Sequence, residues 1–190
     1  MGWRIFHHAG LAFRCRSRLN SNVRPHKTIF STMDEFLQVH CPLFLLTATE
    51  PCWKCGAEQH VSAIGTHALR DGDEEIADPG NTSEMFLLSN ITDMPFPVFK
   101  YVAQRNHRYM KRHSRTAGET YYANTCECGA NFGDFYLFSE PGGAFFPDSD
   151  DAAKSIQLES MPFIGTLKFA ASYSMGVGDY ILQHAKRGAA

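Results

Sequence analysis

Four of the six cysteines of this 190-residue chain fall in two close pairs, Cys52-Trp-Lys-Cys55-Gly56 and Cys126-Glu-Cys128-Gly129. Thiolates two residues apart in a tight turn can point at one metal ion, and a glycine just after them supplies the positive φ that such turns use. Two thiolates fill only half of a tetrahedral zinc shell, so a second pair must come from elsewhere in the chain. Cys126 and Cys128 are the pair available, which predicts one structural Zn2+ held by Cys52, Cys55, Cys126 and Cys128. The one-residue spacing of the second pair is shorter than a usual zinc knuckle, and His107 or His113 is the substitute if one of those thiolates fails to reach. Two other readings compete: unliganded thiols, and a redox dithiol at Cys52 and Cys55. A thioredoxin-like dithiol starts a helix in a βαβ unit, whereas here Pro51 precedes the motif and strand-like segments flank it. Cys15 and Cys41 stand apart, and Cys41 reads as a small buried hydrophobe.

A second constellation is cationic. Lys100, Arg105, Arg108, Lys111, Arg112 and Arg115 occur with no acid between Asp93 and Glu119. Phe99, Val102, Asn106, Tyr109 and Met110 recur at a helical spacing, which predicts one helix over 98–113 with the cations on its remaining surface. Basic groups with Tyr101 and Tyr109 among them suit a phosphate backbone and stacked bases. The predicted partner is nucleic acid or an acidic protein. The competing reading is a solvated helix neutralised by acidic loops at 70–78 and 148–151. An enzymatic alternative, a metal-dependent hydrolase or nuclease, would draw on His113, Asn124 and Asp134. Their spacing selects none of them, and the chain has no Gly-x-Ser-x-Gly elbow.

The elements that must position these groups follow from punctuation and alternation. Leu43–Thr49 reads as a strand and 60–66 as its return, which places the first cysteine turn at a hairpin tip. Residues 33–40 read as a short helical turn stopped by Pro42. Residues 70–81 form an acidic loop, and 84–89 and 121–125 are strand-like. Residues 134–138 suit a strand or the first turns of a helix, and 146–151 a loop. A strand over 165–173 is followed by a short helix that Asp179 caps. The sum is an α+β fold of antiparallel hairpins, with two zinc knuckles forming a zinc-ribbon-like core around an inserted helical segment.

Charge divides the chain. Residues 1–32 carry six basic side chains and no acid, while 33–190 carry 12 basic against 20 acidic, a balance of −8. An Arg- and Ser-rich arm without acids has the marks of a leader or an organelle transit segment, so the expected organisation is an arm at 1–32 and one zinc-binding domain at 33–190. The longest apolar run, 42–46, is far short of the ~18 residues of a membrane span. No secretory signal precedes the paired cysteines, which points to a reducing, cytoplasmic setting, with organelle targeting by the arm as the alternative.

Pro51-Cys-Trp-Lys-Cys-Gly56, with Asn124-Thr-Cys-Glu-Cys-Gly-Ala130, Gly133-Asp-Phe135 and Glu140-Pro-Gly-Gly143, resembles a group of bacterial zinc-ribbon-like, treble-clef-like proteins. In that group a Cys-x-x-Cys turn pairs with a distant Asn-x-Cys-x-x-Cys-Gly turn followed by Gly-Asp-Phe. The likeness spans roughly residues 40–150 in pattern. Glu127 stands alone where the group has two residues between its cysteines. The resemblance implies a zinc ion and a knuckle-based core, and it carries no activity.

Overall fold

The computed structural model describes residues 36–77, 80 and 82–188. The predicted arm at 1–32 lies outside them. Strand β1 (Leu37–Pro51) and strand β2 (Glu58–Asp71) form a long antiparallel hairpin paired from Gln38↔Arg70 to Pro51↔Glu58. Residues 37–40 are therefore strand, in place of the helical turn read from Asp34 and Glu35. Pro42 is accommodated where the register shifts between His40 and Leu43. A proline lacks the ladder N–H, and such irregularities are where a strand tolerates one. The preceding Cys41 N–H instead donates to the Gly165 carbonyl at 2.9 Å.

The chain continues through the two-residue β3 (Glu74–Glu75), β4 (Phe86–Asp93) and helix α1 (Phe96–Arg105). Next come β5 (Tyr109–Ser114), β6 (Glu119–Thr125), β7 (Asn131–Phe132) and helix α2 (Asp134–Ser139). Helix α3 (Asp150–Ser155), β8 (Gln157–Ser160), β9 (Thr166–Ser174), helix α4 (Val177–His184) and β10 (Lys186–Arg187) complete it. A seven-stranded sheet has the order β10-β8-β1-β9-β4-β2-β3, and the added β1–β2 pairing closes the circuit β1–β9–β4–β2. A separate three-stranded sheet has the order β5-β6-β7. The architecture is mixed α+β and dominated by antiparallel pairing, with β8–β10 the parallel exception.

Side chains on β1 alternate between two cores. Leu43 and Leu45 join one core with Ile64, Phe86, Leu88, Val98, Val102 and Phe169. Phe44 and Leu46 join the other with Val61, Ala63, Phe132, Leu137, Phe145 and Ile181. A strand covered on both faces reads as an unbroken apolar run, which is why 43–46 shows no alternation in sequence.

The helix predicted over 98–113 is two elements. Helix α1 ends at Arg105, and Asn106 is extended at its C-cap, with its N–H on the Val102 carbonyl at 2.8 Å. The Asn106 Oδ1 accepts the Arg108 N–H at 3.0 Å, which fixes a turn into β5. Tyr109 and Met110 then lie on a strand paired with β6. Their match to helical spacing was coincidental: Val102 faces the core from a helix and Tyr109 from a sheet.

Two smaller expectations also change. Residues 150–155 form helix α3 with Ser149 as its cap, accepting from the Ala152 N–H. Asp179 lies inside the first turn of α4 and not at its cap; its Oδ1 accepts the Met85 N–H at 2.8 Å and so ties the helix to the strand β4 junction. Among the described residues no helix is long and apolar enough to cross a membrane.

Candidate metal centre

Both cysteine turns sit at hairpin tips. Cys52–Gly56 bridges β1 and β2, and Cys126–Ala130 bridges β6 and β7. The two turns close with the same pair of backbone bonds. In the first, the Cys52 N–H donates to the Ala57 carbonyl at 2.9 Å and the Gly56 N–H to the Cys52 carbonyl at 2.8 Å. In the second, the Cys126 N–H donates to the Ala130 carbonyl at 2.8 Å and the Gly129 N–H to the Cys126 carbonyl at 2.9 Å. Gly56 and Gly129 have φ of 74° and 82°, a region open to glycine at no steric cost. The missing residue between Cys126 and Cys128 thus shortens the turn by one and leaves its closure unchanged.

The four sulfurs converge. Each Sγ of Cys52, Cys55, Cys126 and Cys128 lies within 4.8 Å of the other three. The cross-pairs Cys52–Cys128 and Cys55–Cys126 are 3.7 and 3.6 Å apart. Cys52 and Cys126 are buried against Ala130 and Phe132, while Cys55 and Cys128 face solvent. Such a cluster is consistent with binding a metal ion. Neither His107 nor His113 belongs to it; the His113 Nδ1 lies 3.4 Å from the Thr120 hydroxyl on the β5–β6 hairpin.

The thiols are electrically unequal. Burial raises the Cys52 pKa, but the Cys55 and Lys54 backbone N–H groups and the thiols of Cys126 and Cys128 outweigh it and bring Cys52 down to about 6. At Cys126 the Cys128 backbone N–H lowers the pKa, yet burial and the three neighbouring thiols push it up to about 12. One thiolate forms readily in this nest of N–H groups, and its charge opposes the next.

Side-chain amides hold the two hairpins in register. Asn124, the last but one residue of β6, accepts the Ser62 N–H at 2.7 Å through Oδ1 and donates Nδ2 to the Ser62 carbonyl at 2.9 Å. It therefore pairs with β2 as a strand would. Asn106 Nδ2 adds bonds to the Ser62 Oγ and Asn124 Oδ1, both at 3.1 Å. Trp53, with its ring exposed, donates Nε1–H to the Asn131 carbonyl at 3.0 Å and joins the first knuckle to β7.

The remaining predicted residues distribute widely. Asn124 is consumed by the clamp just described. Asp134 is buried at the start of α2, where Oδ2 accepts the Asn90 N–H at 2.7 Å. Burial drives its carboxyl up to about 7 against that hydrogen bond, with Glu119 adding to the rise. His113 is exposed on β5. These three build no second metal site: among the described residues the four cysteines are the one group of His, Cys, Asp or Glu ligand atoms placed to hold an ion.

The cations also separate. Arg105 grips Glu159, with Nη2–Oε1 at 2.6 Å and Nε–Oε2 at 2.9 Å, and its guanidinium lies 3.6 Å from the Tyr101 ring centroid. That hydrogen bond to Arg105 holds the Glu159 carboxyl below its ordinary value. Arg108 meets the exposed Glu127 at 3.5 Å. Lys111 lies over the Tyr122 ring at 5.1 Å. Among the described residues Lys100, Lys111, Arg112 and Arg115 make no ion pair.

Sequence reasoning missed Ser62 and placed Asn106 only on the face of a helix, because a polar residue in an apolar strand or at a helix end gives no sign of its distant partner. No family model matches the chain, and neither a curated protein nor a solved structure matches it.

Proposed function

We propose that the four cysteines hold one structural zinc ion, and that the protein is a zinc-stabilised binding module with a zinc-ribbon-like knuckle pair at its centre. The cross-pair sulfur separations of 3.6 and 3.7 Å carry this reading. Four sulfurs each ~2.3 Å from one zinc in a tetrahedron stand about 3.8 Å apart. Four thiolates leave no open position, so such an ion would not activate water. It would tie 52–55 to 126–128 and thereby join the two sheets. The resemblance to the bacterial zinc-ribbon-like group agrees with this assignment.

The partner we propose is nucleic acid. The support is charge: Lys100 on α1, Lys111 and Arg112 on β5, and Arg115 in the following turn lack acidic partners among the described residues. Lys111, Arg112 and Arg115 are all exposed. Arg105 and Arg108, by contrast, are engaged by Glu159 and Glu127. Binding of a labelled single-stranded oligonucleotide and its duplex should fall as salt rises, because each phosphate contact releases a counterion. The triple variant Lys111→Ala/Arg112→Ala/Arg115→Ala should lose at least tenfold in affinity, or about 1.4 kcal/mol. Equal binding by the triple variant removes nucleic acid from the proposal and leaves an acidic protein as the partner to seek. A hydrolase or nuclease is disfavoured by the dispersal of His113, Asn124 and Asp134.

A further inference from the structure

Beside the second knuckle lies a cleft of about 230 Å³ built where the end of α1 meets the start of β2. His60, Arg105, Asn106, His107 and Arg108 line it together with Glu58, Gln59 and Glu127. Its volume is below the ~300 Å³ at which pockets for drug-sized ligands begin. A single small polar group fits it. The cleft is distinct from the sulfur cluster and from the exposed cations of the β5–β6 hairpin.

The groups in the cleft are rigidly placed. Asn106 is buried and spends Nδ2 on the His60 carbonyl at 3.2 Å and on Ser62 and Asn124, while its Oδ1 holds the Arg108 N–H. That places His60, Asn106 and Arg108 around one point of backbone. The two arginines then differ. Arg105 has its donors committed to Glu159. The buried Arg108 Nε–H has no hydrogen-bond partner among the described residues. Its Nη2 meets the Glu127 carboxylate at a loose 3.5 Å, with that carboxylate largely in solvent. A buried donor without a partner costs roughly 1–3 kcal/mol, more when charged. A guanidinium offering Nε–H and Nη2–H side by side is the fork that takes two oxygens of a phosphate or carboxylate.

We propose that this cleft is a phosphate-binding subsite in which Arg108 takes two oxygens of a phosphomonoester and the exposed Glu127 is displaced. His60 and His107, both exposed imidazoles on the cleft wall, supply further donors to the remaining oxygens. A phosphomonoester is favoured over a carboxylate because it has a third oxygen for those imidazoles to meet. Glu127 acts as an internal competitor: its carboxylate stands beside Nη2 in the free protein and swings out when the ligand enters. The proposal is independent of whether nucleic acid is the partner of the hairpin cations, since it uses none of them.

The test is a phosphorus NMR titration of the full, metal-loaded chain with inorganic phosphate and with a nucleoside monophosphate. Acetate serves as the carboxylate control. Saturable phosphate binding is expected, weakened about tenfold or more by Arg108→Met and also by Arg108→Lys, which keeps the charge but loses the fork. Glu127→Gln should tighten binding several-fold. The Glu127 side chain is 72% exposed and that of Arg108 31%, and neither is among the four clustered ligands, so metal content and the far-ultraviolet spectrum should be unchanged. Arg112→Ala should leave phosphate binding as in the wild type. An oligonucleotide with a 5′-phosphate should compete with inorganic phosphate, and the same strand with a 5′-hydroxyl should not. Binding that is absent at 50 mM phosphate, equal in the Arg108 variants, matched by acetate, or equally competed by both strands would overturn the assignment.

Discussion

The two cores laid on the faces of β1 and β2 are built by different means. One contains Cys52 and Cys126 and has helices α2 and α4 against it through Leu137, Phe138 and Ile181. Its polar feature is the cluster of four thiols, close enough together to hold a metal ion. The other holds α1 through Val98 and Val102 and is capped by aromatic contacts such as Phe99–Tyr122, with ring centroids 5.1 Å apart. None of the four clustered cysteines belongs to it. The contrast shows how one hairpin can pack an ordinary apolar core on one face and carry part of a cysteine cluster beside the other core. Adjacent residues Leu45 and Leu46, both fully buried, belong to opposite cores.

The largest expected break is metal removal. A structural zinc contributes on the order of 10 kcal/mol, comparable with the whole stability of many domains at about 5–15 kcal/mol. Chelation should therefore abolish cooperative unfolding in both cores, because they share β1 and β2. Circular dichroism melts with and without a chelator check this. A native-like melt of the metal-free protein would show that the metal-side core stands without its ion.

Next in size is Leu45→Ala, which opens a cavity in the metal-free core and should cost about 2–5 kcal/mol in denaturant titration. Its zinc stoichiometry should be unchanged, because Leu45 faces away from the sulfurs. Asn124→Ala should cost less, roughly 1–3 kcal/mol, by leaving the Ser62 N–H and carbonyl unpaired. Unlike the leucine change, it should also weaken metal retention against a competing chelator, because Asn124 ties the second knuckle's strand to β2. Equal metal retention in both variants would show that the amide clamp does not set the knuckles' separation.

A last effect, comparable in size but confined to a pH window, comes from one carboxyl. The Asp134 carboxyl, desolvated by burial, titrates near 7 in the folded chain, against ~3.9 when unfolded. Between those values the native state binds the extra proton, so this group's contribution to stability falls as pH rises and is fully lost above about 7. Asp134→Asn should flatten that slope by roughly a few kcal/mol between pH 4 and 7, with little change at acid pH. A wild-type slope retained in the variant would assign it to other groups.

The cysteine centre was legible because its signal is local: residue type, spacing and a following glycine survive in one dimension. The first hairpin was legible for a similar reason, since Pro51 through Gly56 interrupts two apolar runs. The basic segment was misread because Asn106 ends the helix through partners at 60, 62 and 124, which sequence spacing does not reveal. The likeness of the two knuckle closures was likewise hidden, since it lies in backbone bonds and not in residue count. Residues 37–40 became strand because β9 pairs with them from more than a hundred positions away. Asp134 carried only its Gly-Asp-Phe context, and its burial could not be read from that.

The most direct test of the account is the metal content of the protein purified without added metal, measured beside Cys52→Ser and Cys128→Ser. The account predicts about one zinc per wild-type chain, lost together with the fold in both variants. Four freely titratable thiols, no stoichiometric metal and an intact fold would contradict it, and would bring the redox reading of Cys52 and Cys55 to the front.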